Sequence, residues 1–346
     1  MRKDGFTVCA KHYIKCLRQE GRYATAHVYE SALRSFTMFC GTAGVSFRQI
    51  TRGNLKRYSS YLMDCHLRLN TISTYMRMLR CIYNRGVDMH QTPYVHRMFR
   101  DVFTGIDTRQ KKAIPINELH TLLNEDPQSD KLRRTQAIAN LLFLFCGMPF
   151  VDLAYLEKSN LEGNMLKYNR AKTGIPMNVE ILDSAATIIS QLRNKHTTVL
   201  PEHPDYLFYI LSGKNKRSDE AGYKEYQSAL RCFNNDLKSL ARKLCIRSSV
   251  TSYTFRHSWA TTAKYRGVPI EMISESFDYK VTTKKRNAER YSDRIELQGF
   301  QSCFRLFVKP SQSPLKPNQD AATLLVRNHA RNGDKRTRIT KQGVKD

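Results

Sequence analysis

Between Met165 and Leu182 the apolar residues fall on alternate positions: Leu166 and Tyr168, then, past a Thr-Gly turn, Ile175, Met177, Val179 and Ile181. A period of two belongs to a β-hairpin or a short meander. Wherever else a pattern is readable, apolar positions recur at three and four residues, the spacing of a helix with one buried face. The chain is therefore expected to fold as a mainly helical α+β protein with one small sheet.

The first third reads as helices. From Thr25 to Cys40 the stripe is Val28, Ala32, Phe36 and Phe39. A second helix starts near Thr51, with Leu55, Tyr58, Leu62 and Cys65 on one face. A third follows Asn70, read as its N-cap, with Ile72, Tyr75, Leu79, Ile82 and Tyr83 inward and Gly86 where a C-terminal cap is expected. The outer faces carry Arg52, Lys56 and Arg57 on one helix and Arg77, Arg80 and Arg85 on the next. A solvated surface accounts for any one of these singly. Their clustering over two helices points to a surface that meets a polyanion.

A chain of 346 residues exceeds what one core usually supports, so two domains are expected. The stretch from Thr104 to Pro115 combines glycine, proline and three basic residues with few apolar ones, as an interdomain linker does. Beyond it Asn117 is read as capping a helix through Leu122, and a strongly apolar helix runs from about Thr135 to Cys146 and stops at Gly147. Helices resume over Ala185–Leu192, Tyr226–Leu244, Ser258–Tyr265 and Ile270–Phe277. The end of the chain has three prolines, many cations and little apolar content, which reads as disordered. The division expected is an N-terminal arm over 1–20, a helical domain over 21–104, a linker over 105–115, a second domain over 116–308 and a basic tail over 309–346.

Lys and Arg number 57 against 31 Asp and Glu, a formal net charge of +26. Such an imbalance predicts attraction to nucleic acid or to an anionic membrane. No apolar run approaches the ~20 residues needed to span a bilayer. The N-terminus lacks the apolar core, roughly 7–15 residues, of a signal peptide. Nucleic acid is the expected partner and the cytoplasm the expected compartment. The nine cysteines are scattered with no Cys-x-x-Cys pair, so neither zinc nor a disulfide framework is indicated, and they read as small buried apolar residues. No cofactor is expected.

Seven short strings then occur in a fixed order. They are Gly21-Arg-Tyr-Ala-Thr-Ala26, Tyr29-Glu-Ser-Ala-Leu-Arg-Ser-Phe36, Leu69-Asn-Thr-Ile-Ser-Thr-Tyr-Met76, Phe103-Thr-Gly-Ile-Asp107, Gly147-Met-Pro-Phe-Val-Asp-Leu-Ala-Tyr-Leu156, Lys172-Thr-Gly174 and Arg256-His-Ser-Trp-Ala260. In this order the chain resembles the tyrosine recombinases of the phage-integrase family over roughly residues 20 to 276. Within that family it is similar to the integrases and DNA invertases of Bacteroides-type bacteria. The resemblance implies a helical SAM-like core-binding domain followed by a catalytic domain, together closing on duplex DNA, with four protomers joining two DNA sites. It implies that a segment such as Phe300 to Val308 packs onto a neighbouring protomer. Arg77, Arg80, Arg85, Lys111 and Lys112 are then the expected phosphate contacts.

The implied chemistry accounts for the residue types. A tyrosine hydroxyl attacks a backbone phosphate and leaves a 3′-phosphotyrosyl link and a free 5′-hydroxyl. Arginine suits the charge that develops, because its planar fork donates to two oxygens and stays protonated. Position by position, Arg256 matches the second catalytic arginine and Lys172 the hairpin lysine that protonates the departing oxygen. His257 lies beside Arg256 as an orienting group, and Asp152 matches the acid that supports the first arginine.

The chain also departs from the pattern. The first arginine belongs either immediately before Gly147, where Cys146 stands, or two residues after it, where Pro149 stands, and no arginine lies between Arg134 and Arg170. Unless Arg170 or another arginine reaches in, one of two fixed cations is missing. Tyr253 and Tyr279 occupy the positions of the two histidines. The subgroup's spacing puts the nucleophile at Ala288, and Tyr291, three residues on and preceded by Lys284, Lys285, Arg286 and Arg290, is the expected one. Besides an active recombinase, two readings stay open: a recombinase-derived DNA binder that no longer cuts, and a basic helical nucleic-acid-binding regulator.

Overall fold

The computed structural model of the chain describes residues 5–107, 113–193 and 205–277. Lys111, Lys112, Tyr279, Tyr291, the segment 300–308 and the basic tail lie outside them. Contacts gather the described chain into two units. The first comprises residues 5–107 with Ser218–Tyr223, and the second comprises residues 113–193, 205–217 and 224–277.

The first unit is helical: α1 (Phe6–Gln19), α2 (Tyr23–Phe39), a short 3-10 turn (Phe47–Gln49), α3 (Arg52–Asp64) and α4 (Leu69–Asp88). The expected arm over 1–20 needs correction. Residues 6–19 are a helix whose Phe6, Ala10, Ile14 and Leu17 are buried in the same core as α2 to α4. These positions recur at three and four residues, the period that was decisive elsewhere. At the centre of the core the Phe6 ring lies edge-on to Phe36 at 6.0 Å and to Phe47 at 5.6 Å.

Two capping expectations on α4 change as well, although the start of α3 does not. Thr51 caps α3 as a threonine should, accepting from the Asn54 N–H at 3.2 Å. Asn70, in contrast, lies inside α4, and its amide clasps the backbone of Asp107, donating to its carbonyl at 2.9 Å and accepting from its N–H at 2.8 Å. Gly86 also lies inside α4. A Cβ there would fall 2.2 Å from the Phe47 ring, so the glycine permits a close approach and ends nothing.

The second unit holds α5 (Ile116–Asn124), α6 (Asp130–Leu144), α7 (Phe150–Ala154), β1 (Leu161–Glu162), β2 (Met165–Asn169), β3 (Pro176–Glu180), α8 (Asp183–Leu192), α9 (Glu220–Lys243) from Lys224 onward, α10 (Thr254–Tyr265) and α11 (Ile270–Ser276). Pro115, not Asn117, is the N-cap of α5. The strands form an antiparallel sheet in the order β1-β2-β3, with Leu166 opposite Val179 and Tyr168 opposite Met177, as the period of two requires. Helix α6 is buried from Ala137 to Leu144, and α8 and α10 pack on it. Each buried leucine or phenylalanine in such a core contributes about 1.5–3 kcal/mol relative to exposure. No helix among the described residues is long and apolar enough to cross a membrane.

The described cysteines are free thiols and are less uniformly buried than expected. Cys9 and Cys146 are buried, whereas Cys65 and Cys245 are exposed. Both exposed ones follow directly on a helix end, or nearly so, where the apolar stripe has already turned away from the core.

Candidate active site

The site is built on the turn after α6. Helix α6 ends at Leu144, and Cys146 (φ 55°) and Gly147 (φ 68°) then turn the chain through the left-handed region. Glycine enters that region without strain. It is required here for a second reason: a Cβ on Gly147 would stand 2.9 Å from the Cα of Arg256. The α6–α7 turn and the first turn of α10 therefore pack backbone against backbone.

Arg256 leaves α10 at that contact and is only 4% exposed. One terminal nitrogen, Nη1, donates to the Gly147 carbonyl at 2.9 Å and the other, Nη2, to the Phe277 carbonyl at 3.0 Å. Its guanidinium carbon lies 3.7 Å from the centre of the Phe277 ring, which packs in turn on Trp259 at 5.6 Å. A buried guanidinium costs several kcal/mol in lost hydration. Two carbonyls and an aromatic face offset that cost and fix the side chain in one position.

A second buried guanidinium ends at the same place. Arg170, 8% exposed, donates from Nη1 to the Phe277 carbonyl at 2.8 Å. Its Nε stands 3.6 Å from Oδ2 of Asp152, an ion pair too long to be a hydrogen bond, and neither atom has a hydrogen-bond partner. The other Asp152 oxygen accepts from the Ala171 N–H at 2.8 Å. Burial raises the Asp152 pKa from its ordinary value, opposed by the Ala171 N–H and by Arg170, Arg217 and Arg256. Arg217 joins the cluster by donating to the Ala171 carbonyl at 3.2 Å, with Tyr155 beneath its guanidinium at 5.1 Å. Burial also raises the pKa of the nearby Tyr168 hydroxyl, the direction opposite to a nucleophile's need.

Lys172 is exposed in the turn between β2 and β3. Hydrogen bonds from Gly174 N–H to the Arg170 carbonyl (2.8 Å) and from Arg170 N–H to the Ile175 carbonyl (2.9 Å) close that turn. The hairpin lysine is thus tethered to the buried cluster through its neighbours Arg170 and Ala171. Tyr253 is 46% exposed at the start of α10, its ring edge-on to His257 at 4.8 Å. The structure brings Arg256 and Asp152 into one cluster and puts Tyr253 and His257 at the start of the same helix. Cys146 is buried at 3% and cannot supply a cation.

Arg217 is a residue the sequence pattern did not single out, and Arg170 entered there only as an arginine that could reach in. For Arg170 a signal existed. Leu166 and Tyr168 mark the inward face of β2, and Arg170 is the next position in that register. An arginine on a buried face calls for an explanation. Among the described residues no group of His, Cys, Asp and Glu could hold a metal ion.

On the first unit, Arg80 is exposed on α4, and Arg77 is half-buried and bonds back to the Ser73 carbonyl at 3.4 Å and the Thr74 hydroxyl at 3.3 Å. Arg85 departs from its expected outward role. It is half-buried, with its guanidinium 3.6 Å above the Tyr13 ring of α1.

Residues 5–96 match the Phage integrase SAM-like domain. Among solved structures, the chain is similar to a lambda integrase (residues 75–356) dimer bound to a COC′ core site, with a TM-score of 0.56 and 11% identity over 81% of this chain and 96% of that one. A lambda integrase tetramer bound to a Holliday junction gives a TM-score of 0.55 at 12% identity, over 81% and 79% of the two chains. The Tn1549 transposon integrase in complex with transposon right end DNA gives 0.51 at 12% identity, over 93% and 99%. No curated protein sequence matches the chain. At these identities the likeness establishes the fold, which is that of the tyrosine recombinases.

Proposed function

We propose that the chain is a tyrosine recombinase that breaks and rejoins duplex DNA at specific sites, in integration, excision or inversion. The observation that carries this reading is Arg256, a buried guanidinium fixed by the Gly147 carbonyl of the α6–α7 turn and the Phe277 carbonyl after α11, in an integrase fold. The step proposed is balanced. The Tyr291 hydroxyl attacks phosphorus and gives up its proton to solvent, from which Lys172 is later reprotonated, and the bond from phosphorus to the 5′ oxygen breaks. Lys172 delivers a proton to that oxygen, leaving a 5′-hydroxyl and a 3′-phosphotyrosyl diester. One diester replaces another, so the exchange consumes no external energy. Arg256 stabilises the charge on the pentavalent phosphorus, a contribution of typically ~10²–10³ in rate for one fixed donor.

The exposed cations of α3 and α4 with Lys111 and Lys112 supply affinity through phosphate contacts, which position the DNA without reading it. Pairing of two DNA sites by four protomers belongs to the same proposal, supported by the likeness to the lambda integrase tetramer. A second reading, a DNA binder that no longer cuts, is favoured by one specific feature: the buried Cys146 where a cation is expected.

The test is to incubate the protein with labelled duplex carrying the inverted repeats beside its own gene. A protein–DNA adduct that survives denaturant and disappears in Tyr291→Phe is the expected result. Tight binding without an adduct would select the second reading.

A further inference from the structure

Arg170 and Arg256 reach the Phe277 carbonyl oxygen from two different elements, at 2.8 and 3.0 Å. The two buried cations thus share one neutral acceptor, Arg256 donating to the Gly147 carbonyl as well, and Asp152 stands 3.6 Å from Arg170 without a hydrogen bond. Among the described residues three arginines, Arg170, Arg217 and Arg256, act on the one carboxylate of the cluster, Asp152, so that cations there are in excess. In a medium of low dielectric such an excess favours an oxyanion over a carbonyl dipole, because charge-assisted hydrogen bonds are roughly twice as strong as neutral ones. The donor geometry is already in place: two forks converging on one oxygen are what a phosphoryl oxygen requires for two-point recognition.

We propose that Arg170 is the second phosphate-binding cation of this site, taking a phosphoryl oxygen jointly with Arg256 where the Phe277 carbonyl now sits. Arg170 thereby supplies from the β2–β3 hairpin the charge that the α6–α7 turn lacks at Cys146. Asp152 holds the Nε edge of Arg170 and leaves its Nη1 edge toward the anion. Asp152 is a positioning residue and Arg170 a catalytic one. The identity of the anion as a DNA phosphate rests on the recombinase reading; the existence of a two-cation site does not.

The experiment has two arms on the full chain. In the first, inorganic phosphate is titrated at constant ionic strength and its binding followed by phosphorus NMR line width, for wild type, Arg170→Gln, Arg256→Gln and Arg231→Gln. Arg231 is exposed on α9 and controls for the loss of one charge. Arg170→Gln and Arg256→Gln should each weaken phosphate binding by about tenfold or more, the loss of a hydrogen bond to a charged group, and Arg231→Gln should have little effect. If Arg170→Gln fails to fold, the same change is made with Asp152→Asn, which removes the acid it would leave buried. A wild type that binds no phosphate, or an Arg170→Gln that binds it as wild type does, overturns the proposal.

The second arm measures covalent adduct on the wild-type cleavage site, with either a phosphate or an uncharged methylphosphonate at the scissile position. Arg170→Gln should lose adduct by about 10²-fold or more on phosphate and regain most of it on methylphosphonate, whose neutral centre needs less cationic support. An arginine that merely props the hairpin would show no such rescue. Weakened phosphate binding in Arg170→Gln together with no adduct from wild type would leave the two-cation site standing and refute strand cleavage. Full adduct from Arg170→Gln on phosphate would do the reverse.

Discussion

The two units use arginine in opposite ways. In the second, Arg170 and Arg256 are buried, bonded to carbonyls and aimed at a single point. In the first, Arg80 on α4 and Lys56 and Arg57 on α3 are exposed. A buried guanidinium is costly to place but cannot reorient, which is what stabilisation of a developing charge requires. An exposed one is cheap to place and mobile, which suffices for affinity by counterion release. Arg85 shows that position on an outer helix does not decide the matter, since Tyr13 recruits it into the packing between α1 and α4.

The sharpest way to break this contrast is Arg256→Ala. Adduct formation should fall by about 10²–10³ with DNA affinity largely retained. Equal losses in rate and affinity would mean that the buried arginines serve binding as the exposed ones do.

Next come two glycines that each admit a close contact, one in each unit. Gly147→Ala combines a left-handed backbone with a Cβ 2.9 Å from the Arg256 Cα, and should cost about 2–4 kcal/mol in chemical denaturation. Gly86→Ala meets only the Phe47 ring and keeps a helical φ, so about 1–3 kcal/mol is expected. Gly86→Ala should leave phosphate binding at the site unchanged, and Gly147→Ala should not.

Asp152 gives a smaller effect with a definite sign. Its folded pKa is raised above the ordinary value of 3.8, so the folded state binds the proton more tightly than the unfolded state does. This contribution makes stability fall as pH rises from the unfolded pKa through the raised folded one, and it acts in full above that. Asp152→Asn should remove that part of the fall, seen as a flatter plot of Tm against pH from the acid side toward neutrality. An unchanged plot would show that the three arginines already cancel the cost of burial.

The least effect is reserved for the outer face. Arg80→Ala should lower the slope of log K against log salt by about 0.9, the value for one phosphate contact, and leave the adduct rate on saturating DNA alone. Arg85→Ala should leave the slope unchanged and lower stability by about 1–2 kcal/mol through the lost cation–π contact. If the two variants exchanged these behaviours, the division between packing and binding arginines on α4 would fail.

Much of the architecture was legible before any coordinates. The helical stripes of α2, α3 and α4 and the period of two across Tyr168 and Met177 each depend on a repeat within one short segment, and local spacing determines local structure. Arg256 was legible too, because its neighbours His257-Ser-Trp259 form a string that resembles a known pattern. The stripe of α1 is equally present in Phe6, Ala10, Ile14 and Leu17, whose spacing of three and four residues marks a helix where an arm was expected.

The caps were less legible. Asn70 and Gly86 carry the right chemistry for ending a helix, but Asp107 and Phe47, remote in sequence, claimed them for other uses. The sequence by itself singled out Arg256 and determined that the α6–α7 turn had no guanidinium of its own; that Arg256 is buried and lies inside α10, ahead of the helix start expected at Ser258, came from the structure. Only the tertiary structure decided that Arg170 would meet Arg256 at the Phe277 carbonyl, 107 residues along the chain from the first of them. The reason is physical: a period tells which face of a strand is buried, but which charge is buried opposite it depends on how separate elements pack, and no local spacing encodes that distance.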